Sequence, residues 1–320
     1  MKDTIYMLAI NEALAEEMDR DEKVFVIGED VQAGAFGVSR GLVQKFGTDR
    51  VMDTPISETA VAGTAVGSAM AGYRPVADMQ FGDFMFIAAD EILLKAAKWR
   101  FLHGKKMSLP LVFLACVGGY RRLGAEHSQS PESMVMHTPG LKLAVPSTPY
   151  DAKGLMKTAI RDNNPVVFFY HKALLGAPGE IPEEEYTIPF GVADVKREGT
   201  DVTVVATSLM VTYALEVAKQ LEGKISVEVV DPRTLEPLDM DTIVESIKKT
   251  GRAVIVDEDT LRCGVTSEIG MQIMEQAFDY LDAPVQRVAA ANLPIASGFM
   301  EEHVLPQPRQ IQAAIESVMG

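Results

Sequence analysis

Short unbroken runs of apolar residues at 24–27, 111–115, 143–145 and 166–169 constrain the first part of this chain more than any other feature. A strand with one wet face alternates apolar and polar residues, whereas a strand covered on both faces has no reason to. Between the runs the spacing turns helical: Met7, Ile10, Leu14 and Met18 share one face, and residues 87–102 and 151–161 repeat the pattern. Buried strands separated by helices predict a mainly parallel sheet with helices on both sides, an α/β domain. Residues 173–191 then lapse into a polar stretch punctuated by proline, Ala-Pro-Gly-Glu followed by Pro-Glu-Glu-Glu. Beyond it apolar runs return at 202–206, 227–230, 253–256 and 285–288, with helical patterns at 210–221, 241–249 and 267–278. The expected architecture is two α/β domains, 1–190 and 191–320, and 320 residues suffice for a core in each.

Composition narrows the function. With 45 acidic against 30 basic residues the formal charge is −15, which repels a nucleic-acid backbone. The longest apolar stretches, 109–120 and 60–73, fall short of the ~20 residues a membrane span requires. The N-terminus enters a helical pattern without a hydrophobic signal core, so the expected compartment is cytoplasmic. Cys116 and Cys263 match no disulfide framework or metal spacing, and both are expected as reduced core residues.

Two clusters carry candidate chemistry. Asp53-Thr54-Pro55-Ile56-Ser57-Glu58 precedes a stretch of small residues in which Gly63 and Gly67 share a helical face. Such a helix admits close packing, and Thr54, Ser57 and Glu58 read most simply as a capping group at its start. The second cluster is Gly124-Ala125-Glu126-His127-Ser128-Gln129-Ser130, which follows the run at 111–115 and the turn-like Gly118-Gly119. Loops after the carboxyl ends of parallel strands are where α/β proteins act on ligands. His127, among small and polar neighbours, is a better acid–base candidate than His103, His137, His171 or His303. Gly118-Gly119 is too weak a signal for a phosphate loop. No P-loop, G-x-G-x-x-G or Gly-x-Ser-x-Gly occurs, which disfavours nicotinamide enzymes and serine hydrolases.

Taken together, Gly28-Glu29-Asp30-Val31, 38–42, 53–58, His127-Ser128-Gln129-Ser130, 151–155, Arg161-Asp162-Asn163-Asn164-Pro165 and 231–235 resemble the β subunit of the first component of 2-oxo acid dehydrogenase complexes. The resemblance runs in one order from about Thr4 to the C-terminus. It implies a transketolase-like fold, with a domain that holds the aminopyrimidine of thiamine diphosphate and a C-terminal domain used mainly in assembly. It also implies an α2β2 heterotetramer, and a lipoyl-bearing acyltransferase that takes the product. In the family the α subunit holds diphosphate and magnesium through Gly-Asp-Gly followed by Asn-Asn. Here Gly82-Asp83 is followed by Phe84, and Asn163-Asn164 lies far downstream, so this chain is expected to supply half a site.

Residue by residue, the resemblance assigns Glu58 to the cofactor-activating glutamate, hydrogen-bonded to the pyrimidine. It puts Gln80 and Phe84 against the cofactor, and His127 near the reacting carbon as proton donor or acceptor. Leu111, Ala159, Ile160, Asp162 and Asn164 match positions around a potassium ion. Members of the family use pyruvate, branched-chain 2-oxo acids or acetoin, and this chain alone does not separate them. A split transketolase or deoxyxylulose-phosphate synthase would use the same Glu58 with a different acceptor. A non-catalytic assembly subunit would use neither Glu58 nor His127. The small-residue face further predicts self-association through a β–β contact.

Overall fold

The computed structural model describes residues 1–104 and 107–320. The chain divides into two compact units, one of Met1–Val117 with Met134–Phe190, the other of Gly118–Ser133 with Gly191–Gly320.

In the first unit the elements are β1 (Lys2–Ile5), α1 (Tyr6–Arg20), β2 (Val24–Gly28), α2 (Leu42–Phe46), β3 (Val51–Asp53), α3 (Glu58–Met70), β4 (Arg74–Phe81), α4 (Ala97–Leu102) and β5 (Val112–Val117). They continue with α5 (Glu132–Met136), which begins at the end of the 118–133 segment, then β6 (Lys142–Ala144), α6 (Pro149–Arg161), β7 (Val166–His171) and β8 (Pro178–Ile181). Six strands of this unit lie parallel in the order β6-β7-β5-β4-β2-β3, while β1 and β8 pair antiparallel in a separate two-stranded sheet. The apolar runs become β2, β5, β6 and β7, and every residue of β2, β5 and β7 is buried, as unbroken runs demand. Strand β4 was not signalled by such a run. It lies between β5 and β2, yet Pro75 and Asp78 interrupt its apolar sequence, and proline is rare in central strands. The expected helix at 87–102 is also modified. A 3-10 turn (Gly82–Phe86) and a π-helical stretch (Asp90–Ala96) precede α4. A π turn adds a residue per turn, so Ile92 and Ala96 point inward while the rest of the stretch stays polar or open.

Helices α1 and α6 are joined by ion pairs with unusual burial. Lys153 Nζ lies 2.6 Å from Glu12 and 2.8 Å from Glu16, Lys157 Nζ 2.6 Å from Glu16, and Arg161 Nη2 2.6 Å from Glu17. Both lysine side chains are essentially sealed from water. Burial works against the charge on Glu12, but hydrogen bonds from Lys153 and Lys2 outweigh it and hold its carboxyl below the usual range. Breaking a fully buried pair costs about 3–5 kcal/mol.

In the second unit β9 (Asp194–Arg197), β10 (Val202–Ala206), α7 (Leu209–Gln220), β11 (Val227–Asp231), β12 (Thr234–Glu236), α8 (Met240–Thr250), β13 (Ala253–Thr260), α9 (Val265–Ala277), β14 (Gln286–Ala290) and α10 (Pro308–Met319) follow in turn. The sheet has the order β14-β13-β10-β11-β9, parallel except for β9. Strand β13 runs past its apolar start through Asp257, Glu258 and Asp259, all buried. Cys263 is not a core residue as expected: it is exposed, with φ 57°, in the turn after β13, while Cys116 is buried in β5. Both thiols are free. No helix among the described residues is long and apolar enough to cross a membrane.

The Lys153→Met variant is expected to lose about 2 kcal/mol at pH 7, less than a sealed pair because Glu12 and Glu16 stay partly wet. Since the partner Glu12 is depressed, the contribution is fully present above the ordinary glutamate value and is lost as pH falls below it through the depressed one. Urea unfolding at pH 7 and pH 4 should therefore show the gap between variant and wild type closing in acid.

Candidate active site

Parallel register brings the ends of β2 and β3 level with Asp78 near the end of β4. Gly28 at the end of β2 pairs with Asp53 of β3 on one side and Asp78 of β4 on the other. The approach to β4 is close enough that a Cβ at Gly28 would lie 2.5 Å from the Asp78 carbonyl oxygen, so glycine is required there. Thr54 N–H donates to Gly28 O at 3.0 Å, turning the chain after β3 back across the end of β2. The following residues, Pro55 to Glu58, close a small crevice of ≈ 10 Å³ together with Glu29, Asp78 and Gln80.

Glu58 is the first residue of α3. The capping reading holds only in part: Glu58 stands in the first turn of α3, as expected, but the two hydroxyl groups do not cap it. Ser57 is the N-cap but makes no side-chain cap bond, and the Thr54 hydroxyl has no hydrogen-bond partner. A half-buried carboxyl group therefore starts the helix, beside the crevice, where the helix dipole favours negative charge. Nearby, burial raises the Glu29 carboxyl above its ordinary value, with Asp30 and Glu58 adding repulsion.

Asp78 forms the floor. It is fully buried, and burial pushes its carboxyl up to about 7 despite a hydrogen bond accepted from Gln80 N–H at 2.9 Å. Gln80 takes φ 60°, a conformation costly for a residue with a side chain, and donates from Nε2 to Glu29 O at 2.5 Å. Phe84, in the 3-10 turn after β4, is half-buried and meets Phe81 edge to face at 5.5 Å; it does not line the crevice. On α3, a Cβ at Gly67 would meet nothing within 4 Å, and one at Gly63 would meet Glu91 at 3.5 Å.

His127 belongs to the other compact unit, on the segment Gly118–Ser133. It is half-buried, and its N–H donates to Gly124 O at 3.3 Å. The expected potassium positions gather around the end of α6 and the starts of β5 and β7. Leu111 O accepts from Val166 N–H at 3.0 Å, and Ala159 O from Asp162 N–H at 3.3 Å. Arg74 Nη1 donates to Ile160 O at 3.0 Å and Asp162 O at 2.9 Å, Asn164 Nδ2 donates to Asp162 Oδ1 at 2.8 Å, and Lys142 pairs with Asp162. An alkali ion there would share Ile160 O and Asp162 O with the Arg74 guanidinium. Among the described residues, no group of His, Cys, Asp and Glu side chains has the makings of a metal site.

The fold agrees with what known proteins show. The transketolase pyrimidine-binding domain matches residues 4–178 and the transketolase C-terminal domain residues 191–311, so the chain is transketolase-like in both of its parts. It is 46% identical to the β subunit of the acetoin:2,6-dichlorophenolindophenol oxidoreductase of Cupriavidus necator, over 98% of this chain and 96% of that one. It is also 46% identical to the 2-oxoisovalerate dehydrogenase β subunit of Bacillus subtilis (98% of each), and 44% to the pyruvate dehydrogenase E1 β subunit of Rickettsia felis (97% and 96%). A solved structure described as a split-gene transketolase, an inactive β4 tetramer, matches with a TM-score of 0.81 at 25% identity, over 98% of both chains. The chain belongs to the β subunits of the thiamine-diphosphate-dependent pyruvate, acetoin and branched-chain 2-oxo acid dehydrogenases.

The raised carboxyl of Asp78 sets a pH dependence. Its folded value lies above the ordinary 3.8, so its contribution to stability is fullest below that value and is lost as pH rises through about 7. Asp78→Asn keeps an acceptor oxygen for Gln80 but removes the titration. Thermal melts from pH 5 to pH 8 are expected to show the variant gaining steadily on wild type, and a flat difference would refute the assignment.

Proposed function

We propose that this chain supplies the proton-handling half of a thiamine-diphosphate site in a pyruvate-type 2-oxo acid or acetoin dehydrogenase, as the β subunit of an α2β2 assembly in the cytoplasm. The observation that carries this is Glu58: a carboxyl group at a helix start that caps nothing, beside Gln80, where β2 and β3 end against the last residues of β4. The donor set suits the aminopyrimidine end of the cofactor, since a partly wet carboxyl group can share a proton with a ring nitrogen. Phe84, half-buried beside Phe81, offers an aromatic face. Bound thiamine diphosphate would supply the nucleophilic carbon and electron sink of the reaction. Glu58 would hold the proton at the pyrimidine nitrogen, Gln80 and Phe84 would orient the ring, and His127 would give or take a proton as the acyl group passes to a lipoyl sulfur.

Diphosphate and magnesium fall to an α subunit, because Gly82-Asp83-Phe84 lacks the last glycine of the family's segment. A partner also answers the exposure of Ile56, Phe86, Ile87, Leu94, Phe101 and Leu102 on the first unit, an unusual set of open apolar side chains. The named relatives act on acetoin, 2-oxoisovalerate and pyruvate at 44–46% identity, so the substrate is assigned by assay.

Co-expression with an α subunit bearing Gly-Asp-Gly, followed by a panel of the three substrate types with a lipoyl acceptor, tests this reading. Glu58→Gln is expected to lower turnover about 10²–10⁴-fold, the range for a lost acid–base group, while the assembly elutes unchanged. Unaltered turnover would leave a non-catalytic assembly subunit, and turnover with an aldehyde acceptor in place of lipoyl would indicate a split transketolase. The open Gly67 face and the β4 tetramer of the structural relative support self-association of the chain alone. Gel filtration is expected to show an oligomer, and a stable monomer at micromolar concentration would exclude it.

A further inference from the structure

We infer that three buried carboxylates of the second unit, Glu258, Asp259 and Glu301, act as positioning residues for His127 by gripping the backbone of the Gly118–Ser133 loop that carries it. This rests on the proton-transfer reading of His127 given above. Glu258 Oε1 accepts the N–H of Gly119 near the start of the loop. Both carboxylate oxygens of Glu301 accept the N–H of Arg122, each at 3.1 Å. Asp259 Oδ2 accepts the N–H of Ser133 at its end, at 3.2 Å. Tyr120 adds a hydroxyl bond to Pro306 O at 2.6 Å, Leu123 forms a bridge with Ser297, and Gly118 N–H closes the loop on Gln129 O at 3.0 Å. The three acids are 6%, 9% and 5% exposed.

Each of these bonds is made to main chain, so together they set where the loop runs whatever its side chains are. Exposed Arg121, Arg122 and Leu123 show that this stretch is not kept in place by burial of its own side chains. Two features that the sequence displays without an evident use find one together. The acid run Asp257-Glu258-Asp259 ends β13 over this loop, and Gly119 is a glycine because a Cβ there would lie 2.2 Å from Leu305 Cδ1 and 3.2 Å from Glu301 Oε1. Without a side chain, the Gly119 N–H can reach Glu258. A histidine that must meet a reacting atom tolerates little drift, since a displacement of about 1 Å can cost about 10²-fold in rate.

The test uses the assembled enzyme with its α subunit. Hydrogen exchange resolved to single amides in wild type is expected to show Gly119, Arg122 and Ser133 protected relative to Ala125 and Glu126. Glu258→Ala and Glu301→Ala are expected to lower kcat for lipoyl acylation about 10–100-fold with KM changed less than about 2-fold, the signature of misplacement rather than lost substrate binding. The same variants should be cut by trypsin after Arg121 and Arg122 at least about 10-fold faster, as a loop released from its anchors opens locally. Glu258→Gln and Glu301→Gln keep an acceptor oxygen and should restore most of both properties. Unprotected amides in wild type would overturn the inference, even if the alanine variants failed to fold. Folded alanine variants with wild-type cleavage would overturn it as well. If His127→Ala retained full turnover, the role of His127 would fall while exchange and proteolysis still judged the clamp.

Discussion

Carboxyl groups accepting main-chain N–H bonds where strands and helices end hold the loops of both units in place. Among the described residues five aspartates do so in one way, each accepting from the residue two further on, Asp21 from Lys23 N–H at 2.9 Å being one. Asp78 takes Gln80 N–H at 2.9 Å, Asp162 takes Asn164 at 2.8 Å, Asp231 takes Arg233 at 2.8 Å and Asp257 takes Asp259 at 2.7 Å. This local bond lets a chain turn sharply while its donor stays satisfied. At Gln80 and Arg233 it supports φ near 60° in residues that are not glycine. A buried N–H left without an acceptor costs about 1–3 kcal/mol, so each turn depends on its acid. The opposing cost is desolvation of the acid itself, visible in Asp78 and Asp257, which burial, joined for Asp257 by its neighbour Asp259, pushes up to about 7. The acidic excess of this chain is therefore partly an internal scaffold and not only a solvated surface.

The apolar runs of the sequence make β2, β5, β7, β10, β11 and the start of β13 legible, because strands covered on both faces need no polar alternation. The strand that floors the proposed site was the least legible. Proline and a buried aspartate break up β4, and the same aspartate organises the crevice floor, so the feature that hides the strand is the one that gives it a use. The motif at 53–58 falls beside the crevice, but its sequence does not separate a capping cluster from an uncommitted Glu58. The partners of the His127 loop lie 126 to 186 residues further along the chain, beyond the reach of any local pattern. The loop follows β5 in sequence, which suggested that it belonged with the first sheet, but its backbone is held by acids of the second unit.

Charge also accounts for the proposed division of the site between two chains. Glu29, Glu58 and Asp78 line the crevice, and Asp30 and Asp53 stand beside it. A diphosphate brought to such a rim would meet like charges in a partly desolvated setting, where repulsion at close range amounts to several kcal/mol. The same carboxyl groups are suited to the other end of the cofactor, where a proton has to be shared with a neutral ring. A surface that manages protons with acids and one that holds phosphate with a metal ion make opposite electrostatic demands, and separating them onto two subunits meets both. The crevice itself, at ≈ 10 Å³, is a floor and not an enclosure, so water can be excluded from the reaction only when a second surface covers it. Assembly on this reading is part of the catalytic apparatus, because it supplies the opposite charge and the missing wall in one step.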